Sequence, residues 1–487
     1  MNDHSLRVAV IGGGISGILM GCRLQQAGIE FTILEKAARP GGTWRDNTYP
    51  GVACDVPSHL YCSSADLNPE WSYIYAPGSE ILTYIEQVIE KRGIGSRIVY
   101  GFEATSATWG GSRWSLSSRD GRTVEADVVV CATGVLHHPR RPSIEGLDKV
   151  EFPVVHTARW RKEIELDRRI VGVIGTGTTA TQVVVAIASR VQELIVFQRT
   201  PSWILDVQNS RTPEFVKRSL RRAPRLHRWL NRLGTTLTSI TYGDSFIGRS
   251  PLTRRYIEFR CRRALRQVRD PALRKRLTPD YVPGCKRLVF SSGYYQAIQR
   301  SNVKLVSERI NSFARDGALT ADGRLHKLDV LILATGFHGD AFMRPMSVVG
   351  ENGIRIDEVW SAKPIAYRAT SIPHMPNFFM LIGPYSPIAS ASVIEIAEWQ
   401  VGFIMSCIDL VRTRKIALSA SSAATKQYIA ALDLAAPRSV WASGCDSWYL
   451  GPDRLPGLYT RSPSQHKAEL AQQPDLRDFD VRPLTQR

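Results

Sequence analysis

No apolar run in this chain of 487 residues reaches the ~20 residues that a membrane-spanning helix needs. The start, Met1-Asn2-Asp3-His4, passes into a short apolar strand without a signal-peptide core, so a cytoplasmic protein is expected. Cysteine is sparse: Cys22, Cys54, Cys62, Cys131, Cys261, Cys285, Cys407 and Cys445 are dispersed, with no C-x-x-C and no His/Cys cluster at metal spacing. Zinc modules and paired-cysteine reductases are thereby excluded, and free, mostly buried thiols are expected. Acidic residues are also short in one place. Between residues 211 and 276 nineteen Lys or Arg stand against four acids, a net +15 of the chain's +18. No nucleic-acid motif accompanies that charge, so nucleic acid is not an expected partner. What is present, 43% hydrophobic and 22% charged residues, suits two or more globular domains.

Residues 7–11 form a short apolar run, followed by Gly12-Gly13-Gly14-Ile15-Ser16-Gly17 and an apolar pattern at helical spacing. This reads as strand, glycine turn, helix. Gly12 makes the turn, Gly14 lets the backbone approach a pyrophosphate, and Gly17 lets helix pack on strand. The motif alone is a weak signal. It gains force because a second strand, residues 31–35, ends in Glu35, where a ribose hydroxyl needs an acceptor.

The same pattern recurs at residues 170–182, with Gly175-Thr176-Gly177-Thr178-Thr179-Ala180-Thr181 as the turn and helix start. Its following strand ends in Arg199-Thr200 instead of an acid, and an arginine there suits a 2'-phosphate. The first site is therefore expected to take FAD and the second NADPH. Residues 80–93 read as an amphipathic helix, and residues 97–135 and 303–325 as antiparallel meanders. Each meander leads into a buried strand ending in Ala-Thr-Gly, and the second of these, residues 328–337, is expected to return the chain to the first domain. A further strand at residues 376–384, a helix near 393–412 and a polar, mobile tail should follow.

Between the first two strands and the first meander lies the stretch on which the chemistry is expected. Gly41-Gly42-Thr43-Trp44, then Tyr49-Pro50-Gly51, then Asp55 should form an irregular loop with no helix in it. This spacing, with the two glycine fingerprints and the paired Ala-Thr-Gly strands, resembles the class B flavoprotein monooxygenases, most closely the Baeyer-Villiger type. The resemblance implies an α/β fold with two Rossmann-like dinucleotide-binding domains, antiparallel meanders and a helical insertion at about 205–276. An FAD domain of residues 1–147 and 327–487 would flank an NADP domain of residues 148–326.

By the same resemblance Ser16, Glu35, Thr43, Trp44, Asp55, Tyr61 and Ala104 contact FAD, while residues 175–181, Arg199, Thr200 and Lys286 contact NADPH. Arg287 would be the active-site arginine, oriented by Asp55. The implied activity is insertion of one oxygen atom from O2 into a small apolar ketone or aldehyde through a C4a-peroxyflavin. Oxidation of soft nitrogen or sulfur, and a non-oxygenating FAD/NADPH reductase or redox-sensing binding protein, stay open beside it. One linker motif of the family is half present: His156 and Trp160 stand in place, but Val150, Phe152 and Arg161 replace other residues, and Phe152 is expected to alter the hinge. In the insertion, Val216, Leu220, Ala223, Leu226, Leu230 and Leu233 recur at helical spacing with Trp229 beside them and Pro224 as a break. The stripe is expected to pack on the core, with peripheral contact with an anionic membrane as the sharper alternative.

Overall fold

A computed structural model describes residues 6–484. Its two parallel five-stranded sheets grow from the two fingerprints. Val8, Ala9 and Val10 are 2%, 1% and 0% exposed, because the strand Arg7–Ile11 is covered on both faces and is flanked by parallel neighbours. Val8 pairs with Phe31 on one side and Val128 on the other. In spatial order the first sheet is Phe378–Met380, Val128–Cys131, Arg7–Ile11, Glu30–Glu35 and Ile98–Tyr100. The second is Val303–Val306, Glu193–Phe197, Ile170–Ile174, Val330–Leu333 and Val154–His156. Each fingerprint strand is central in its sheet, and each following helix, Ile15–Gln26 and Thr178–Ile187, begins at the sheet's carboxyl edge.

The expected amphipathic helix is Gly78–Arg92, with Ile81, Tyr84, Ile85, Val88 and Ile89 buried on one face and Gly93 closing it in the left-handed conformation. The first meander is formed by Ala104–Trp109, Trp114–Ser118 and Thr123–Ala126, to whose edge Ser347–Val349 adds in parallel. Helix Val393–Arg414 packs along Ile15–Gln26 beneath the first sheet.

Several expectations are corrected. The loop at 41–55 contains one helical turn, Thr43–Asp46, stabilised by the Asn47 amide donating to the Thr43 carbonyl at 2.9 Å. Val303–Val306 belongs to the second sheet and only Ile310–Ala314, Gly317–Thr320 and Leu325–Lys327 form the second meander. Val330–Leu333 lies between Ile170–Ile174 and Val154–His156, so the chain is still in the second domain beyond residue 326. The tail is held in place: Phe479–Pro483 pairs antiparallel with Ile416–Ala420, and helix Pro463–Ala471 packs on Val393–Arg414. Phe152, 9% exposed, fills the core of the second domain with Ile195, Phe197 and Leu331, which accounts for a bulky residue at a linker position.

The cysteines are also corrected. Cys22, Cys54, Cys62, Cys131, Cys261 and Cys407 are free and buried, but Cys285 and Cys445, 160 residues apart, form a disulfide. It ties the loop that carries Lys286 and Arg287 to the segment before Trp448 and Tyr449. Alkylation of the unfolded protein should therefore label six cysteines without reductant and eight after reduction; eight in both cases would show that the bond does not form.

Candidate active site

A cleft of about 980 Å³ opens where the carboxyl edges of the two sheets face each other, and both fingerprints and the 41–55 loop line it. On the first side Gly12 has φ +113°, and a Cβ there would lie 2.6 Å from the Ala132 carbonyl oxygen. Gly14 meets only Gly42 of the signature loop, at 3.7 Å from its ideal Cβ, so the two glycine turns touch with backbone alone. Glu35, 3% exposed, accepts from the Gly13 amide at 2.7 Å, the Ala37 amide at 2.8 Å and Arg45 at 2.9 Å. Arg45 thus neutralises the carboxylate beside the fingerprint. Thr43, Trp44, Tyr61 and Ala104 line the same end, with the Trp44 indole donating to the Tyr61 hydroxyl at 3.3 Å.

The signature loop also reaches across to the second domain. The Tyr49 hydroxyl donates to Gln182 at 2.8 Å, and the Gln182 amide donates to the Ala53 carbonyl at 2.9 Å. Burial pushes the Tyr49 phenol up to about 12, so it stays a neutral donor. Gly51, with φ +82°, presses on the helix Thr178–Ile187: a Cβ would stand 2.6 Å from the Gln182 carbonyl oxygen. Asp55 then meets Arg287 from the second domain, with Asp55 Oδ2 accepting from Nη2 at 2.8 Å and Nε at 3.1 Å. The Arg287 side chain is 42% exposed and that of Asp55 14%, so the pair is anchored on the acid side and the guanidinium opens into the cleft. Asp55 raises the Arg287 pKa further, and the charge is permanent.

Thr178, Thr179, Arg199 and Lys286 line the other end of the cleft. Thr176 donates to the Thr200 carbonyl at 2.7 Å, fixing the turn after the strand. Burial lowers the Lys286 pKa; Asp446 opposes that shift and the nearby Arg199 adds to it. Neither cation forms an ion pair among the described residues, which leaves a paired positive site facing the cleft. Other predicted residues lie behind the lining. Ala180 and Thr181 are each 1% exposed, and Gly17 and Gly175 are where a Cβ would collide with the backbone of Gly12 and Ala334; these four hold helix to strand.

Sequence reading missed Gln182, Arg45, Trp448 and Tyr449. Tyr449 is 3% exposed with its hydroxyl beside the Arg287 guanidinium, and Trp448 lines the cleft. A polar residue one turn into the second fingerprint helix was a signal for Gln182; the C-terminal aromatics carried none, because only the fold brings them to Arg287.

Two features test whether dinucleotides fit. Neither fingerprint helix has a side-chain cap at its start, so the first backbone N–H groups at Gly14 and Gly177 are left for an anion. An added Cβ at Gly177 would meet nothing within 4 Å, so this glycine leaves room that the protein itself does not use. Both ends of the cleft therefore fit a dinucleotide.

Comparison with known proteins agrees. A family profile described as an NAD(P)-binding Rossmann-like domain matches residues 10–76. An uncharacterised monooxygenase of Mycobacterium tuberculosis is 42% identical over 475 residues, 97% of this chain and 95% of the relative. A Baeyer-Villiger monooxygenase of Pseudomonas aeruginosa is 35% identical over 453 residues, 92% of this chain and 85% of the relative. Among solved structures, closed cyclohexanone monooxygenase superposes with a TM-score of 0.86 at 27% identity, covering 98% of this chain and 100% of that one. A steroid monooxygenase bound to NADP gives 0.87 at 27%, covering 98% and 99%. With two fingerprints facing one cleft, the signature loop bridging them and relatives matched over nearly their whole length, this chain belongs to the FAD-containing, NADPH-dependent Baeyer-Villiger monooxygenases.

Proposed function

We propose that the protein oxidises an apolar ketone or aldehyde to an ester or lactone, using O2 and NADPH. The observation that carries this reading is Arg287, held by Asp55 at 2.8 Å with its guanidinium open to the cleft. When bound, NADPH supplies a hydride and FAD supplies the activation of O2. The residues around them bind and position. Gly14, Ser16, Glu35, Thr43, Trp44, Tyr61 and Ala104 would hold FAD; Thr178, Thr179, Arg199, Thr200 and Lys286 would hold NADPH.

Arg287 would act on the substrate. As a carbonyl carbon becomes tetrahedral, negative charge grows on its oxygen, and a fixed guanidinium stabilises that charge more than the neutral ground state. Asp55 keeps the guanidinium from swinging away. Trp448, Leu450, Ile388 and Met346 give the cleft an apolar wall, which favours an apolar substrate and excludes water. The reading includes peripheral contact with an anionic membrane, supported by the net +15 of residues 211–276.

Holoenzyme supplied with NADPH, ¹⁸O₂ and a series of apolar ketones should yield esters carrying one labelled oxygen. With an apolar thioether supplied in parallel, sulfoxide formation from it without ester from any ketone would remove the carbonyl reading, and NADPH oxidation that yields only hydrogen peroxide would remove oxygenation altogether.

Arg199→Ala should raise the KM for NADPH about 10- to 100-fold while moving that for NADH little, since a charge-assisted contact worth about 1.5–3 kcal/mol exists only with the 2'-phosphate. Equal changes for both would make Arg199 a structural residue.

A further inference from the structure

Helix Pro224–Thr238 is mounted the wrong way round for a helix whose outer face meets only water. Its inward face is polar or small: His227 and Asn231 are 4% and 6% exposed, and a Cβ on Gly234 would press on Leu60 at 2.6 Å. Asn231 donates to the His59 carbonyl at 2.7 Å, and the His59 and His227 rings meet edge-on at 5.4 Å. The outward face carries Leu226, Leu230, Leu233, Leu237 and Ile240, all 40–51% exposed, with Trp229 at 58% beside them. The spacing of four, three, four and three keeps these five on one side of the helix and of its continuation Ser239–Gly243. The expected packing of this stripe on the core is thus overturned for all but its first turns, where Leu220 is buried. Elsewhere in the insertion Phe215 is 71% exposed, and Leu252, Tyr256 and Phe259 on helix Pro251–Leu265 are 77%, 56% and 51% exposed.

An apolar stripe of this size on a soluble surface marks a partner. Two occupants match the spacing, a second copy of the same helix or a lipid surface, and charge chooses between them. Among the described residues the insertion's ion pairs are Arg221 with Glu70 and Glu214, and Arg262 with Glu258. Arg225, Arg228 and Arg232, interleaved with the stripe, are in none. A second copy would bring six such arginines together with no acid to offset them, whereas an anionic headgroup layer accepts each one. A Trp beside leucines and flanked by arginines is also the composition of a helix that lies in the interface plane.

We propose that helix Pro224–Thr238 docks the enzyme on anionic phospholipid, its leucine stripe in the acyl boundary and its arginines on the headgroups. The helix rests on the 3₁₀ turn Ser58–Leu60, which runs directly into Tyr61 of the cofactor cleft, so docking brings the cleft close to the bilayer in which an apolar substrate dissolves. This use of the surface rests on the proposed apolar substrate; the docking itself does not.

FAD-loaded full-length enzyme is floated with vesicles of phosphatidylcholine alone or with phosphatidylglycerol added, at low and moderate salt. The wild type should float with the anionic vesicles only, with a blue shift in tryptophan emission. Leu230→Ser/Leu233→Ser, with Trp229 kept, and separately Arg225→Glu/Arg228→Glu/Arg232→Glu, should each reduce the vesicle-bound fraction more than about tenfold. Because these side chains point outward, both variants should keep their melting temperature and their turnover of a water-soluble ketone; that turnover reports on the oxygenase reading separately. No flotation at low salt, equal flotation on neutral vesicles, or a concentration-dependent dimer that the Leu230→Ser/Leu233→Ser variant dissociates would each overturn the proposal, the last in favour of a second copy.

Discussion

Arg287→Ala is expected to bind FAD and to be reduced by NADPH at close to the wild-type rate, yet to form ester about 10³-fold more slowly. Loss of one preorganised donor at a developing oxyanion costs on the order of 10²–10³ in rate, and Arg287 brings a full charge as well. Arg287 reaches Asp55, the Tyr449 hydroxyl, the Ile388 carbonyl at a long 3.5 Å, and the cleft, and packs in none of the hydrophobic cores. Anaerobic stopped-flow reduction, flavin content and product yield separate the steps. Arg287→Lys should recover only part of the rate, because an ammonium keeps the charge but cannot hold Asp55 with two donors while presenting others to substrate. Ester formation by the alanine variant at the wild-type rate would show that the carbonyl oxygen is stabilised elsewhere, and a matching fall in flavin reduction would place Arg287 with NADPH.

Gly12→Ala and Gly14→Ala, two residues apart, are expected to fail in different ways. At Gly12 a methyl group would sit 2.6 Å from the Ala132 carbonyl on a backbone with φ +113°. Strain of that kind costs about 1–3 kcal/mol before the clash with the backbone just past the strand Val128–Cys131 is counted. The apoprotein itself should melt several degrees lower or fail to accumulate. At Gly14 the ideal Cβ meets only Gly42 Cα, at 3.7 Å, and φ is −79°, so alanine is tolerated by the empty fold. It would instead occupy the space expected for the pyrophosphate. Gly14→Ala should therefore have the melting temperature of the wild-type apoprotein and at least tenfold weaker FAD binding. If both variants lose apo stability equally, the second glycine serves packing and the pyrophosphate placement is wrong.

Much of the first sheet and both fingerprint turns were legible because their information is local. A strand, a glycine turn and a helix lie within about thirty residues, and the glycine requirement is written in φ values that few other residues accept. The places of Glu35 and Arg199 at the cleft were legible for the same reason: Glu35 ends the strand after its fingerprint, and Arg199 lies two residues past the end of the corresponding strand Glu193–Phe197. The one helical turn inside the signature loop was not, because Gly41 and Gly42 mask it and Asn47 closes it through a side chain.

The sequence by itself determined that two dinucleotide-binding units are present, in which order, and which loop lies between them. Only the tertiary structure decided how distant pieces meet. Val330–Leu333 reads the same in either sheet, since every buried parallel strand is a short apolar run; its partners Val171 and Val154 settle the matter. Cys285 and Cys445 are 160 residues apart and no spacing rule connects them; Asp55 and Arg287, 232 apart, were paired only through the family resemblance, and Tyr449 joins that pair only because the C-terminal segment folds back. The insertion shows the limit most plainly. Periodicity fixes that Leu226, Leu230 and Leu233 share a face, but the direction of that face depends on what the opposite side can bind, and here His227 and Asn231 found partners in the 58–60 turn and turned the leucines outward.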